Sequence, residues 1–291
     1  MLYLLYKTSL FLLRLVNIKT AHSIVSFCAK VKYIFSGREK KLVKGNLRAA
    51  IPELKDARAS RLAMEVFENF GRYLVAFFGL IKGEKDYLKK SIRLVGLENL
   101  DEALSAGRGC IIMTGHFGNW ELTGCATANQ GYKVNAIVLD HADRRINDFF
   151  IKRRENVGIN IIHAGNAGAE CRKALARGES IAIVCDRPFG DRGMEVDFFG
   201  KKATFPRGGA LMSVKNNAPI VMCFSYREKD EQNVYTACFE KPIFPKQEGP
   251  LKERMIELIQ KFVGRFEYYI RRYPSQWYMF NRIWDQDRGK I

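Results

Sequence analysis

The chain has 291 residues, 47% hydrophobic, 12% aromatic and 27% charged, a balance that excludes disordered, collagen-like and mucin-like classes and allows a core without disulfides. Its 48 Lys and Arg against 31 Asp and Glu give a net charge of +17, which points to an anionic partner or surface. The seven cysteines, Cys28, Cys110, Cys125, Cys171, Cys185, Cys223 and Cys238, form no C-x-x-C pair and no Cys/His spacing suited to zinc. They read as reduced thiols of a cytoplasm-facing protein with no metal site.

The chain opens on a basic, apolar arm, taken as residues 1–48, ahead of a single domain over residues 49–291. From Met1 to Arg48 ten basic residues stand against one acid, Glu39, so over half the net charge lies in one sixth of the chain. Leu2 to Tyr6, Leu10 to Leu13, Leu15 and Val16 predict an apolar helix with Lys7 and Arg14 on one narrow face, lying in a membrane interface. A steep span needs about 18 residues with few charges. The longest uncharged run of the arm is only Thr20 to Ala29, which leaves a tilted span with snorkelling Lys7 and Arg14, or a helix packed on the core, as the alternatives. A cleaved secretory signal does not fit, because the charges interrupt and follow the apolar run.

Residues from Asp56 to Ile81 carry apolar side chains at helical spacing, among them Leu62, Val66, Phe67, Phe70, Leu74, Phe77 and Phe78. The rhythm then changes. Gly109–Met113, Tyr132–Leu139, Ile159–Ala164, Ser180–Cys185 and Pro219–Tyr226 read as strands, separated by helices over Trp120–Gln130, Asp143–Val157, Ala167–Arg177 and Arg207–Asn216. This alternation predicts an α/β fold with a largely parallel central sheet and helices on both faces. Val234–Phe244 reads as an edge strand, and a long helix over Leu251–Arg272 leads to an aromatic tail of Trp277, Tyr278, Phe280 and Trp284.

The chemistry is expected in Thr114-Gly115-His116-Phe117-Gly118-Asn119-Trp120-Glu121, directly after the Cys110–Met113 strand, because ligands in such sheets bind beyond the carboxyl ends of strands. Two glycines flank the histidine and let the backbone turn tightly. His116 and Glu121 are five apart, about 140° away from eclipse on one continuous helix. The pair therefore works only with His116 in the loop and Glu121 in the first turn of the next helix. There the carboxylate would fix the imidazole tautomer and leave the other ring nitrogen as a general base. The competing reading is a loop histidine that caps the helix.

The H-F-G-N-W-E run resembles the H-x4-D/E hallmark of the lysophospholipid-acyltransferase-like superfamily, and within it the bacterial lipid A lauroyl and myristoyl acyltransferases. Gly45-Asn46-Leu47, Ile51-Pro52-Glu53 and Phe70-Gly71-Arg72 are similar to that family's N-terminal pattern, and Pro274-Ser275-Gln276-Trp277-Tyr278 to its closing motif. Asp186-Arg187-Pro188 and Glu195-Val196-Asp197-Phe198-Phe199-Gly200, leading to Thr204 and Pro206, resemble its acceptor-side loop. The stretch from Glu195 to Gly200 is closer to actinobacterial relatives that acylate phosphatidylinositol mannosides. The resemblance runs from about residue 40 to residue 284.

What the resemblance implies is transfer of an acyl chain from a thioester, on acyl carrier protein or coenzyme A, to a hydroxyl of an anionic membrane glycolipid, a lipid A precursor first and a phosphatidylinositol mannoside or another lipid as the alternative. No cofactor is implied, and the place is the cytoplasmic face of the inner membrane. His116 would take the hydroxyl proton and Glu121 would hold the ring. Arg153 and Arg154 would stabilise the oxyanion unless they are a solvated helix face. Asp186, Arg187 and Glu195 would be polar substrate-binding residues unless they form loop-stabilising ion pairs. Phe198 and Phe199 would line an acyl groove, a role open also to Phe77, Phe78, Phe149 and Phe150, although most such aromatics are core.

Rival classes leave weaker traces. A nucleic-acid binder would suit the charge but has no recognisable module, so nucleic acid is not an expected partner. A serine hydrolase lacks the G-x-S-x-G elbow, and nucleotide enzymes lack both glycine-rich loops. A non-catalytic membrane lipid-binding protein remains as the rival from another class.

Overall fold

The computed structural model describes residues 7–8, 15–79, 84–140, 142–187, 193–231 and 234–284. Most of the expected opening helix, Leu2 to Val16, lies outside the described residues, as does Pro188. The first described helices are α1 (Ile18–Phe35), α2 (Gly37–Ala50) and α3 (Asp56–Gly79), followed by α4 (Glu84–Ser91). Asn17 caps α1, its Oδ1 accepting the Thr20 N–H at 2.9 Å. Along one side α1 lies close against α3: a Cβ on Gly71 would stand 3.0 Å from Val25 Cγ2. The boundary expected at residue 48 falls inside α2. That helix buries Val43, Leu47 and Ala50, and its Asn46 side chain donates to the carbonyls of Met279 at 3.1 Å and Asn281 at 2.8 Å. Residues 37–48 are thus part of the body.

The α/β portion runs β1 (Ile92–Val95), α5 (Leu97–Ser105), β2 (Cys110–Thr114), α6 (Trp120–Asn129), β3 (Val134–Val138), α7 (Arg144–Asn156), β4 (Ile159–His163), α8 (Ala167–Ala176) and β5 (Ser180–Val184). It continues through an antiparallel hairpin, β6 (Gly193–Phe198) and β7 (Lys201–Pro206), then α9 (Gly208–Asn216), β8 (Ile220–Tyr226), β9 (Tyr235–Phe239) and α10 (Leu251–Arg272). The main sheet has seven strands in the order β1-β9-β8-β2-β5-β3-β4, all neighbours parallel except β8 and β9. The expected largely parallel sheet with helices on both faces is what the chain forms.

Period-two alternation carries the two cores. From β2 and β8, Ile111, Met113, Ile220, Met222 and Phe224 face one way, onto α8, α9 and the apolar stripe of α10. Cys110, Ile112, Val221 and Cys223 face the other way, onto α3, α5, α6 and α7. One expectation is corrected here. The strand β9 is not an edge, because β1 pairs alongside it from Ile92↔Tyr235 to Val95↔Cys238. With four residues, one of them Arg93, β1 is too short to leave a periodic trace in the sequence.

Candidate active site

Strands β2 and β5 are parallel neighbours in the register Thr114↔Val184, so the residues two positions beyond each strand end meet: His116 and Asp186. Asp186 Oδ1 lies 2.6 Å from His116 Nδ1, and Asp186 Oδ2 accepts the His116 backbone N–H at 2.9 Å. A carboxylate only accepts, so Nδ1 carries a proton, and in the neutral ring Nε2 holds the lone pair. The His116 side chain is 24% exposed and that of Asp186 1%. Among the described residues nothing hydrogen-bonds Nε2. Burial alone would raise the pKa of Asp186; the imidazole, the His116 N–H and the neighbouring Arg187 outweigh it and hold the carboxyl below its ordinary value.

The backbone of the His116 loop is held from several sides. Gly118 has φ 58°, and a Cβ there would stand 1.7 Å from the carbonyl oxygen of Ser225; one on Gly115 would stand 2.6 Å from the Phe266 ring. Only glycine fits at Gly118. Asn119 caps α6, its Oδ1 accepting the Leu122 N–H at 3.0 Å, while its own N–H donates to Ser225 Oγ at 2.7 Å. The segment Gln276–Tyr278 pairs with the loop antiparallel: the Gly118 N–H donates to the Gln276 carbonyl and the Tyr278 N–H to the His116 carbonyl, both at 2.9 Å. Arg187 Nη2 donates in turn to the Tyr278 carbonyl. Burial pushes the Arg187 guanidinium below its ordinary value, and Nε has no partner among the described residues. Trp120 sets an edge against the imidazole with ring centres 5.0 Å apart, and Tyr73 stacks on Trp120 at 4.4 Å.

Glu121 sits in the first turn of α6 as expected, but its carboxylate is not on the imidazole. It takes a fork from Arg154, Nε to Oε2 at 2.9 Å and Nη2 to Oε1 at 2.5 Å, with the side chains 8% and 15% exposed. Burial alone would lower the Arg154 pKa; the Glu121 carboxylate outweighs it and holds the guanidinium above its ordinary value. Arg153 lies over the Phe149 ring at 3.6 Å and donates to the Phe149 carbonyl at 3.1 Å. Neither arginine is a solvated face. Beneath Arg154, Phe77 and Phe150 stack at 5.5 Å, both buried.

The acceptor-side stretch forms the hairpin β6–β7. Glu195 is exposed on β6 opposite Thr204. Phe198 is wholly covered, stacked between Phe266 and Trp284 with edges on Phe205 and Trp277. Phe199, at φ 52°, donates its N–H to Glu267 at 2.6 Å and carries the Arg271 guanidinium on its ring. Phe198 meets the His116 loop through Phe266 and Trp277, which both lie against Phe117; His116, Asp186 and Arg187 stand together in one site, and Glu121 and Arg154 form an ion pair behind it.

Comparison with known proteins gives the chain its family. The profile of the bacterial lipid A biosynthesis acyltransferases matches residues 1–286, and the chain belongs to that family. It is an acyltransferase. It is 22% identical over 223 residues to the phosphatidylinositol mannoside acyltransferase of Mycolicibacterium smegmatis, covering 75% of this chain and 71% of that one. To the enzyme of the same name from Mycobacterium tuberculosis it is 24% identical, covering 76% and 69%. The lipid A biosynthesis acyltransferase of Haemophilus influenzae is 22% identical, covering 69% and 62%.

Proposed function

We propose that this acyltransferase moves a fatty acyl chain from a thioester, on acyl carrier protein or coenzyme A, to a hydroxyl of an anionic membrane glycolipid, with His116 as general base. The observation that carries the reading is the Asp186-held imidazole with Nε2 unbonded and the ring partly open to solvent. Nε2 takes the hydroxyl proton as the oxygen attacks the thioester carbonyl carbon. The tetrahedral oxyanion collapses, the C–S bond breaks, and the imidazolium returns its proton to the leaving sulfur. Asp186 is the positioning residue for the ring, and Arg187 is the guanidinium best placed to meet developing negative charge. No nucleophile of the enzyme is needed.

The acceptor is a lipid A precursor or a phosphatidylinositol mannoside; the family profile favours the first and the mycobacterial relatives the second. Helix α1 supports action at a bilayer surface; the cytoplasmic side belongs to the reading because thioester donors are found there. Its Ile24, Phe27, Val31 and Ile34 share one outward face, continued by Phe35, with Phe27 69% and Phe35 83% exposed and Lys19 and Lys30 along the edge. Among the described residues no helix is long and apolar enough to cross a membrane.

The test is mass spectrometry of cellular glycolipids with and without the gene, complemented by wild type or by His116→Ala. Loss of one acyl chain from a glycolipid, restored by wild type alone, is expected, and the lipid that changes identifies the acceptor. Full rescue by His116→Ala would overturn the reading.

A further inference from the structure

A second set of charged side chains flanks the candidate site and has no use in the acyl-transfer chemistry. Strands β5, β2 and β8 are parallel neighbours, and just beyond their carboxyl ends stand Asp186, His116 and Arg227. Arg227 is fixed by its main chain: its N–H donates to Gln276 Oε1 at 2.9 Å and its carbonyl accepts from Gln276 Nε2 at 2.7 Å. Its Nη2 donates to Asn69 Oδ1 at 2.8 Å. Arg72, next to Tyr73 on α3, brings a second, half-buried guanidinium within electrostatic reach; burial first and then Arg227 hold it below its ordinary value. His22 enters from α1, where Gly71 lets the two helices close up. Its Nδ1 is buried without a partner, and burial, then Arg72 and Arg227, pull its pKa down to about 4.

Nothing among the described residues neutralises this cluster by direct contact. Arg72 has no hydrogen bond or ion pair, and the nearby Glu68 is engaged elsewhere, accepting from Ser26 Oγ at 2.6 Å and facing Lys30 Nζ at 3.7 Å. The other neighbours of Arg227 are buried phenols: Tyr235, whose hydroxyl shares a hydrogen bond with the guanidinium, and Tyr278, whose hydroxyl has no partner among the described residues. Arg227 Nη2 holds Asn69, one turn before Arg72 on α3, so the two guanidiniums converge and repel each other, and an anion with several acceptor oxygens between them would relieve that repulsion.

We propose that Arg72 and Arg227, with His22 beside them, form a phosphate-binding subsite next to His116, at the place in such sheets where ligands bind. The subsite takes the phosphate of the lipid acceptor, a detail that rests on the function proposed above; the binding of phosphate does not. Arg72 and Arg227 are then binding residues, separate from the proton-transfer pair.

The experiment is titration calorimetry of the full chain with two probes, inorganic phosphate and micelle-free dihexanoyl phosphatidylinositol. Wild type, Arg72→Gln, Arg227→Gln and the bulk-charge control Lys215→Gln are compared, Lys215 being exposed at the far end of α9. Binding weakened at least fivefold in each arginine variant and unchanged in the control is expected; inorganic phosphate alone sufficing identifies a free-phosphate site, and binding of the lipid only identifies a headgroup site. No heat with either probe, or binding indifferent to both arginine variants in samples with native circular dichroism, overturns the proposal. His116→Ala keeps the binding in either case, so failure of the acyl-transfer reading and failure of the subsite are told apart.

Discussion

Asp186 grips His116 twice, its Oδ1 on the ring nitrogen Nδ1 at 2.6 Å and its Oδ2 on the backbone N–H at 2.9 Å. One carboxylate thus sets the tautomer, the ring angle and the path of the loop that carries the ring. Such a grip is possible because β2 and β5 end in register, and it makes the side chain of Asp186, rather than that of Glu121, the orienting group.

Replacing His116 by Ala is expected to lower turnover about 10²–10⁴-fold with substrate binding kept. For Asp186→Asn the expectation is a loss of similar order in kcat with KM nearly unchanged, since the amide can present an N–H to Nδ1 and favour the wrong tautomer. Steady-state kinetics on both variants decides the matter; an Asp186→Asn enzyme of wild-type kcat would remove Asp186 from the mechanism.

The same carboxyl gives a pH dependence of stability. Its folded pKa is below the unfolded value of about 3.9, so the stability it contributes is full above that value and is lost as pH falls through the folded one. Equilibrium urea unfolding from pH 7 downward should find wild type more stable than Asp186→Asn at neutral pH, with the gap closing below about pH 4.

Glu121 and Arg154 are expected to behave as a buried pair. Glu121→Leu or Arg154→Met alone strands a charge and should cost about 3–5 kcal/mol, whereas the two substitutions combined should recover most of it. A double-mutant cycle by chemical denaturation measures the coupling; additive losses would show the pair to be uncoupled.

His22 titrates in the opposite setting, a base that folding keeps neutral. Its folded value of about 4 lies below the ordinary 6.5, so the stability tied to its neutral form is complete above pH 6.5 and declines as pH drops toward 4. In His22→Gln that part of the decline should vanish, which thermal midpoints at a series of pH values would register.

The outward face of α1 makes a prediction about membranes. Burying a phenylalanine is worth about 1.5–3 kcal/mol, so Phe27→Glu or Phe35→Glu should weaken co-sedimentation with anionic vesicles tenfold or more while leaving the thermal midpoint in place. Equal sedimentation of both variants and wild type would rule this face out as the contact.

Much of the fold was legible because buried parallel strands leave runs such as Cys110–Met113 and Ser180–Cys185, and because Leu251–Arg272 carries an apolar stripe at helical spacing. The glycines around His116 and the loop-to-helix step before Glu121 were legible too. The partner of the imidazole was not. Spacing in sequence favoured Glu121, five residues away, while the register of two parallel strands brought in Asp186 from seventy residues on. A trace existed, since both residues follow their strands by two positions, but strand order is needed to use it. The short strand β1 gave no periodic pattern to read, and the hairpin β6–β7, although Glu195-Val196-Asp197-Phe198 alternates charged with apolar, lies outside the main sheet and reads in the sequence as a loop.

The strand-like pairing of Gln276–Tyr278 with the His116 loop has a consequence for biosynthesis. A nascent chain leaving the ribosome exposes the histidine and then the aspartate early, but the backbone clamp that fixes their loops is translated only after the long α10 helix. A chain that ends before Gln276 therefore lacks the bonds from Gly118 to Gln276 and from Tyr278 to His116, and among those described its His116 loop keeps only the ties to Asp186 and Ser225.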